Sequence, residues 1–235
     1  MKTEIIYQDN HILICRKPAG LPTQTTKIGQ VDMVSELKNY LAQNKGSEPY
    51  LGLVHRLDQP VEGLLVFGKN PKATKILSQQ LREGALHKSY YAVAINQPYA
   101  EEGMLEDFII KDAGKNMAKI VTADTPGAKK AVLHYRMISA VEGKVLYVVQ
   151  IDTGRFHQIR AQMAHAGMSL LGDQKYADEE TRKYSMKNGI RNVALCACEI
   201  VLKHPETGKK MSFAIQPEGE AFQDFYEEDT KENRK

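Results

Sequence analysis

His55-Arg56-Leu57-Asp58-Gln59-Pro60-Val61-Glu62-Gly63-Leu64-Leu65-Val66-Phe67 sets a cluster of charges directly against a continuous apolar run. The run from Leu64 to Phe67 fits a central strand buried on both faces, so Asp58 is anchored just upstream of the core. Arg56 and Asp58 alternate and can share one side of an extended backbone, while Pro60 and Gly63 permit the turn that carries them to a surface. A nucleophile or base can sit there. The same residues also read as an ordinary turn with a solvated Arg-Asp pair, and the rest of the chain has to separate the two.

Upstream, Ile5 to Tyr7 and Ile12 to Cys15 read as short strands around the turn Gln8-Asp9-Asn10, after which Lys17-Pro18-Ala19-Gly20-Leu21-Pro22 breaks regular structure. Val34, Leu37 and Leu41 recur at helical spacing before Gly46. A second helix begins near Asn70-Pro71, runs through Ile76, Leu77 and Leu81 and stops at Gly84. Downstream, strand-like runs follow at Tyr90 to Ile95, Phe108 to Ile110, Ala131 to Ile138, Val145 to Ile151, Ala194 to Leu202 and Met211 to Ile215. Strands in this order with few intervening helices disfavour a regular βαβ repeat. They predict an α+β fold, a largely antiparallel mixed sheet with flanking helices.

A chain of 235 residues with 42% hydrophobic content can bury a substantial core as one large domain or two lobes. Residues 1–226 are read as one domain, with room for two sub-lobes about a cleft, and 227–235 as a charged flexible tail. No run approaches the roughly 18 apolar residues of a membrane span, and the N-terminus lacks the apolar region of a secretion signal; a cytoplasmic location is expected. Cys15, Cys196 and Cys198 form no disulfide framework. Cys196 and Cys198 share one side of a strand, but no second pair completes a thiolate site, so they read as small buried hydrophobes and no metal is implied. The net charge is +3, and because the tail from Glu227 to Lys235 carries four acids and three bases, the body stands at +4. That bias is compatible with a polyanionic partner.

A second concentrated site is Asp152-Thr153-Gly154-Arg155-Phe156-His157-Gln158-Ile159-Arg160, continuing to Gly167. A helix is expected to start near Arg155 and to be capped by Gly167. A cation at a helix start is not favoured by the dipole, so Arg155 needs solvent or a carboxylate, and Asp58 is a reasonable partner. His157 can touch substrate or satisfy the helix terminus. Tyr90 and Tyr91 alternate across a strand, one inward and one outward, and periodicity does not choose which could stack on a base. Phosphate-loop spacings such as GxGxxG or GxxxxGK are absent, which argues against ATP or a dinucleotide.

These segments resemble the RluA-type pseudouridine synthases, which isomerise uridines in structured RNA. The likeness runs from about Ile5 to Ile215. It is carried by His55-Arg56-Leu57-Asp58 with Gly63-Leu64-Leu65, by Lys88-Ser89-Tyr90-Tyr91-Ala92, by Thr153-Gly154-Arg155-Phe156-His157-Gln158-Ile159-Arg160, and by Leu170-Leu171-Gly172-Asp173 with Tyr176. Lys17-Pro18-Ala19-Gly20 and His204-Pro205-Glu206-Thr207-Gly208 match flanking signatures. The resemblance implies the pseudouridine synthase catalytic fold with a central RNA-binding cleft, where Asp58, Tyr90 and Arg155 converge.

It further implies Asp58 as the essential carboxylate, Tyr90 as the ring beneath the uracil, Arg155 as the ion-pair partner of Asp58, and Arg56 as the side chain that fills the space left by the everted base. His55 and His157 join the substrate-binding set, and Lys17, Lys69, Lys88 and Arg160 are candidate phosphate contacts. No metal or organic cofactor is required. The expected partner is ribosomal or transfer RNA, handled by a monomer without a preceding S4-like domain. The chain departs from the pattern after the aspartate, where the family usually carries a basic residue and then Thr-Ser or Val-Ser; Gln59 removes a potential phosphate contact and Glu62 adds negative charge. The competing reading is an inactive RNA-binding or RNA-folding protein with the same fold, against which Asp58 and Arg155 weigh. A small-molecule hydrolase is more distant, because Asp58 lacks a metal site or a nucleophile-base pair around it.

Overall fold

The computed structural model describes residues 3–27, 29–43, 49–95 and 100–226, so the stop expected at Gly46 and the tail 227–235 lie outside the described residues. In chain order the elements are β1 (Glu4–Gln8), β2 (Ile12–Lys17), α1 (Met33–Ala42), β3 (Gly52–Leu53), β4 (Glu62–Gly68), α2 (Pro71–Arg82), β5 (His87–Ala94), β6 (Glu102–Asp112), β7 (Met117–Val121) and β8 (Lys129–Val141). They continue with β9 (Lys144–Ile151), α3 (Gln158–His165), α4 (Glu179–Lys187), β10 (Leu195–Lys203), β11 (Lys210–Ala214) and a 3-10 turn at Glu220–Phe222. The architecture is α+β, strands in a mixed sheet with flanking helices, as the order of apolar runs predicted. No helix among the described residues is long and apolar enough to cross a membrane. The described residues divide between two compact units, one within Met1–Lys88 and Cys196–Gln216, the other within Ser89–Leu195 and Pro217–Lys235.

In the first unit the strand order is β1-β2-β4-β10, with β3 on β4 and β11 on β10. All pairs are antiparallel except β4 with β10, which run parallel through Glu62–Cys196 and Gly63–Ala197. Every residue of β4 is buried, which is why its sequence is a continuous apolar run instead of an alternation. Ile12, Ile14, Leu64, Val66, Leu77, Leu86, Ile200 and Leu202 make one core cluster of this unit. Both helices are capped by side chains: Asp32 accepts from Ser35 N before α1, and Asn70 accepts from Ala73 N before α2, with Pro71 opening the latter. The Gln80 amide then ties α2 to the end of β10, donating to Lys203 O at 2.7 Å and accepting from Lys203 N at 2.9 Å.

Asp9, in the turn between β1 and β2, gathers donors from His11 N, Ile12 N, the Tyr7 hydroxyl and His204 Nε2. Burial pushes its carboxyl upward, but the Ile12 and His11 amides, Tyr7 and His204 outweigh it and hold the pKa at about 2. His204 Nδ1 in turn accepts from Glu206 N and Thr207 N. The His-Pro turn is thereby knitted to the first hairpin.

In the second unit the order is β5-β9-β8-β6-β7, antiparallel throughout, with a bulge in β8 between Met137 and Ser139. The inner face of β6, β7 and β8 packs on α3 through Ile109, Ala118, Ala131 and Ala161, with Ile120, Phe156 and Tyr176 around them. α3 ends in a reversed turn: Gly167 has φ +79°, its N–H bonds Ala164 O, and Met168 N bonds Met163 O. β7, α4 and the 3-10 turn here carry no sequence expectation. α4 buries Thr181 and Ser185 instead of an apolar stripe, and Ser185 Oγ accepts from Gly172 N at 2.9 Å. A helix whose inward face is polar leaves no hydrophobic periodicity to read.

Candidate active site

Residues 55–58 lead from β3 into the turn before β4, and burial alternates along them. His55 and Leu57 are buried, Arg56 is exposed and Asp58 is half-buried. Asp58 O accepts from Val61 N at 3.1 Å, closing the turn that carries Gln59 and Pro60. Segment 17–23 holds this loop. Thr23 Oγ1 donates to Leu57 O at 2.9 Å and accepts from Leu57 N at 3.1 Å. The carbonyl of Gln59 accepts from Gly20 N at 2.8 Å and from the Lys17 ammonium at 3.1 Å, and the Gln59 side-chain amide donates to Gly20 O at 3.0 Å.

Lys17 is fully buried, and its ammonium also donates to Pro18 O at 2.8 Å and Leu21 O at 2.7 Å. Burial lowers its pKa to about 7, against an upward pull from the charges of Asp58 and Glu62. Three carbonyls match the three protons of an ammonium, so the side chain acts as an internal brace. Glu62, which the sequence marks as unusual, is buried at the start of β4. Lys69 is half-buried, with its ammonium on Asp9 O. His55 Nε2 accepts from Val66 N at 3.3 Å, and burial together with the nearby Lys88 charge keeps the imidazole well below its ordinary pKa. It is a neutral histidine inside the unit, carrying its proton on Nδ1.

In the second unit Tyr90 is buried on β5 opposite Val149, while Tyr91, opposite Val148, is half-buried on the other face. The Arg155 turn is built differently from its sequence expectation. α3 starts at Gln158 and not near Arg155, because His157 lies in the left-handed region at φ 49° and ψ 30° and cannot belong to the helix. Arg155 therefore precedes the helix instead of occupying its first turn.

Gln158, buried, organises the turn: its Oε1 accepts from Arg155 N at 2.9 Å and Thr153 Oγ1 at 2.8 Å, and its Nε2 donates to Val132 O at 3.0 Å. Val132 N donates back to Thr153 Oγ1 at 3.0 Å. The half-buried Arg155 side chain donates through Nε to Lys130 O at 2.8 Å. His157 Nδ1 lies 2.8 Å from the Tyr176 hydroxyl, and its ring stacks on Phe156. Arg160 is buried and pairs with Asp173 through Nε at 2.7 Å and Nη2 at 2.8 Å. A guanidinium forked onto one carboxylate inside the unit is a structural ion pair, a different use from the phosphate contact expected for it.

Asp58, Arg56, His55, Lys17, Lys69 and Lys88 thus belong to the first unit, and Tyr90, Arg155, His157 and Arg160 to the second. Sequence reasoning missed Thr23, Thr153 and Gln158 as positioning residues. Thr153 and Gln158 lie within the segment from Asp152 to Arg160, whereas Thr23 acts across 34 residues of sequence, which no local pattern reveals.

The RNA pseudouridylate synthase profile matches residues 11–165. Relatives include the "uncharacterized RNA pseudouridine synthase YhcT" of Bacillus subtilis, 35% identical over 74% of this chain and 57% of that protein. The ribosomal large subunit pseudouridine synthase D of Zymomonas mobilis is 30% identical over 89% of this chain and 68% of that protein. The chain thus spans little more than half the length of the first and about two thirds of the second. Among solved structures, human RNA pseudouridylate synthase domain containing 4 shares the fold, with a TM-score of 0.75 at 23% identity over 92% of this chain and 89% of that one. The profile match takes in both the Asp58 loop and the Arg155 turn, and by it the chain belongs to the RNA pseudouridylate synthase family.

Proposed function

We propose that this protein is an RluA-type synthase that isomerises uridine to pseudouridine in structured RNA, ribosomal or transfer RNA being the substrate class. The observation that carries this reading is the family match over residues 11–165 with Asp58 in place, on a loop whose backbone is held on both sides of it. The reaction breaks the N1–C1′ bond and joins C5 to C1′; N1 gains a proton and C5 loses one, with no net redox change. Asp58 acts at the sugar, attacking C1′ or assisting proton removal at C2′, and its charge stabilises the positive character that develops there.

Tyr90 supports the freed uracil and takes the C5 proton, directly or through water. Arg155 is the second charged residue that the activity requires. The target uridine must leave its stack, and Arg56 takes the vacated space. Lys17 and Arg160 serve the protein's own structure, while Lys69 and Lys88 are proposed to meet phosphate. Gln59, exposed on the Asp58 turn, sets the position preference. The reading is tested by mapping pseudouridine in total RNA from cells with and without the gene: sites lost on deletion return with the wild-type gene and not with Asp58→Ala. Loss of no site, together with inactivity of the purified protein on cellular RNA, favours the non-catalytic RNA-binding reading.

A further inference from the structure

The second unit brings cations together beside Arg155 that the reaction chemistry does not use. Lys111, exposed near the end of β6, has its ammonium 4.6 Å from the centroid of the Phe156 ring. That ring also stacks on His157, at 3.7 Å between centroids and 22° between planes. Phe156 directly follows Arg155, whose Nε bonds Lys130 O. Lys129, also exposed, stands opposite Ile109 in the β6–β8 register, so it shares a face with Lys111 as a diagonal neighbour.

The acids of β6 nearest to them are committed elsewhere. Glu106 pairs with Lys130 at 2.9 Å, Asp107 holds Gln162 at 2.8 Å and His165 at 3.0 Å, and Asp112 accepts from Lys115 N at 3.0 Å. Among the described residues neither Lys111 nor Lys129 has a carboxylate partner. Like charges gathered in this way repel one another, a cost that a polyanion laid across them removes. An aromatic ring under Lys111 fixes its ammonium without neutralising it.

We propose that Lys111, seated on Phe156, and Lys129 form a two-lysine phosphate clamp that grips the RNA strand beside Arg155. This rests on the reading of the protein as acting on RNA. The same geometry makes Phe156 a positioning residue that acts through Lys111.

The test is fluorescence anisotropy with a fluorescein-labelled 20-nucleotide oligouridylate, titrated with the full chain at several KCl concentrations, thermal melts confirming that each variant is folded. Each phosphate contact on single-stranded RNA contributes about 0.7 to the slope of log affinity against log salt. Lys111→Gln and Lys129→Gln are each expected to weaken binding several-fold and to lower that slope by about 0.7. Phe156→Leu weakens binding on its own but adds nothing in the Lys111→Gln background. Lys183→Gln, on α4 and paired with Glu179, leaves the slope unchanged. Tight wild-type binding with unaltered slopes in both lysine variants overturns the clamp and leaves the functional reading standing. An equal loss in Lys183→Gln overturns the clamp as a specific site. Wild type that neither binds the oligonucleotide nor modifies cellular RNA removes both.

Discussion

The hydroxyl of Thr23 holds both backbone groups of Leu57, donating to its carbonyl at 2.9 Å and accepting from its N–H at 3.1 Å. Leu57 separates Arg56 from Asp58, so one buried hydroxyl fixes the peptide units that carry the two side chains proposed for base eversion and sugar chemistry. Thr23→Val keeps the shape but leaves a buried N–H and C=O without partners, a cost of about 1–3 kcal/mol. We expect kcat to fall about tenfold or more with little change in KM, and Thr23→Ser to restore most of it. Equal losses in the Val and Ser variants would show that packing, and not the hydroxyl, matters.

Gly63 lies against Ala197 so closely that a Cβ on it would stand 2.4 Å from the Ala197 nitrogen, and its φ is +129°. Close approach and backbone conformation both demand glycine where β4 leaves the Asp58 turn and pairs with β10. Gly63→Ala should cost about 3 kcal/mol or more, a fall of roughly 6–12 °C in Tm by thermal denaturation. A melting curve that overlays wild type would contradict this packing.

Asp173 and Arg160 form a forked pair that is buried on both sides. Removing one partner strands the other charge, so Asp173→Asn should destabilise by about 3–5 kcal/mol in urea titrations. Replacing both by apolar residues of similar volume should recover much of the loss. If the double replacement is as poor as the sum of the single ones, the pair does more than balance itself.

The carboxyl of Asp9 is held at about 2, below its ordinary 3.8. A depressed carboxylate binds fewer protons when folded than when unfolded. Its contribution is therefore complete above about pH 4 and lost as pH falls through about 2. With the side chain 27% exposed, about 1–2 kcal/mol is the reasonable size after solvent screening. Asp9→Asn should lower stability near neutrality and flatten the acid limb between about pH 4 and 2. A variant with the wild-type acid profile would contradict the assignment.

The loop position of Asp58 was legible in the sequence because β4 is buried on both faces, so that its unbroken apolar run ends where the charged turn begins. The inward setting of Lys17 was not legible. A lysine beside Pro-Ala-Gly reads as a surface cation, and only the fold reveals three carbonyls turned onto its ammonium. The start of α3 was placed near Arg155 because Gly167 and the apolar spacing of Ile159 and Met163 are visible, whereas the left-handed His157 is a property of the turn it makes with Phe156 and Tyr176. α4 stayed hidden behind a polar inward face.

Isomerisation of uridine driven by Asp58 is open to direct measurement. Joining C5 to C1′ expels the hydrogen on C5, so RNA carrying [5-3H]uridine releases tritium to water as pseudouridine forms. Tritium release from cellular RNA is expected with the purified wild-type protein, and a loss of about 1,000-fold or more in Asp58→Asn with its melting temperature and RNA binding retained. Release by Asp58→Asn at the wild-type rate would contradict it.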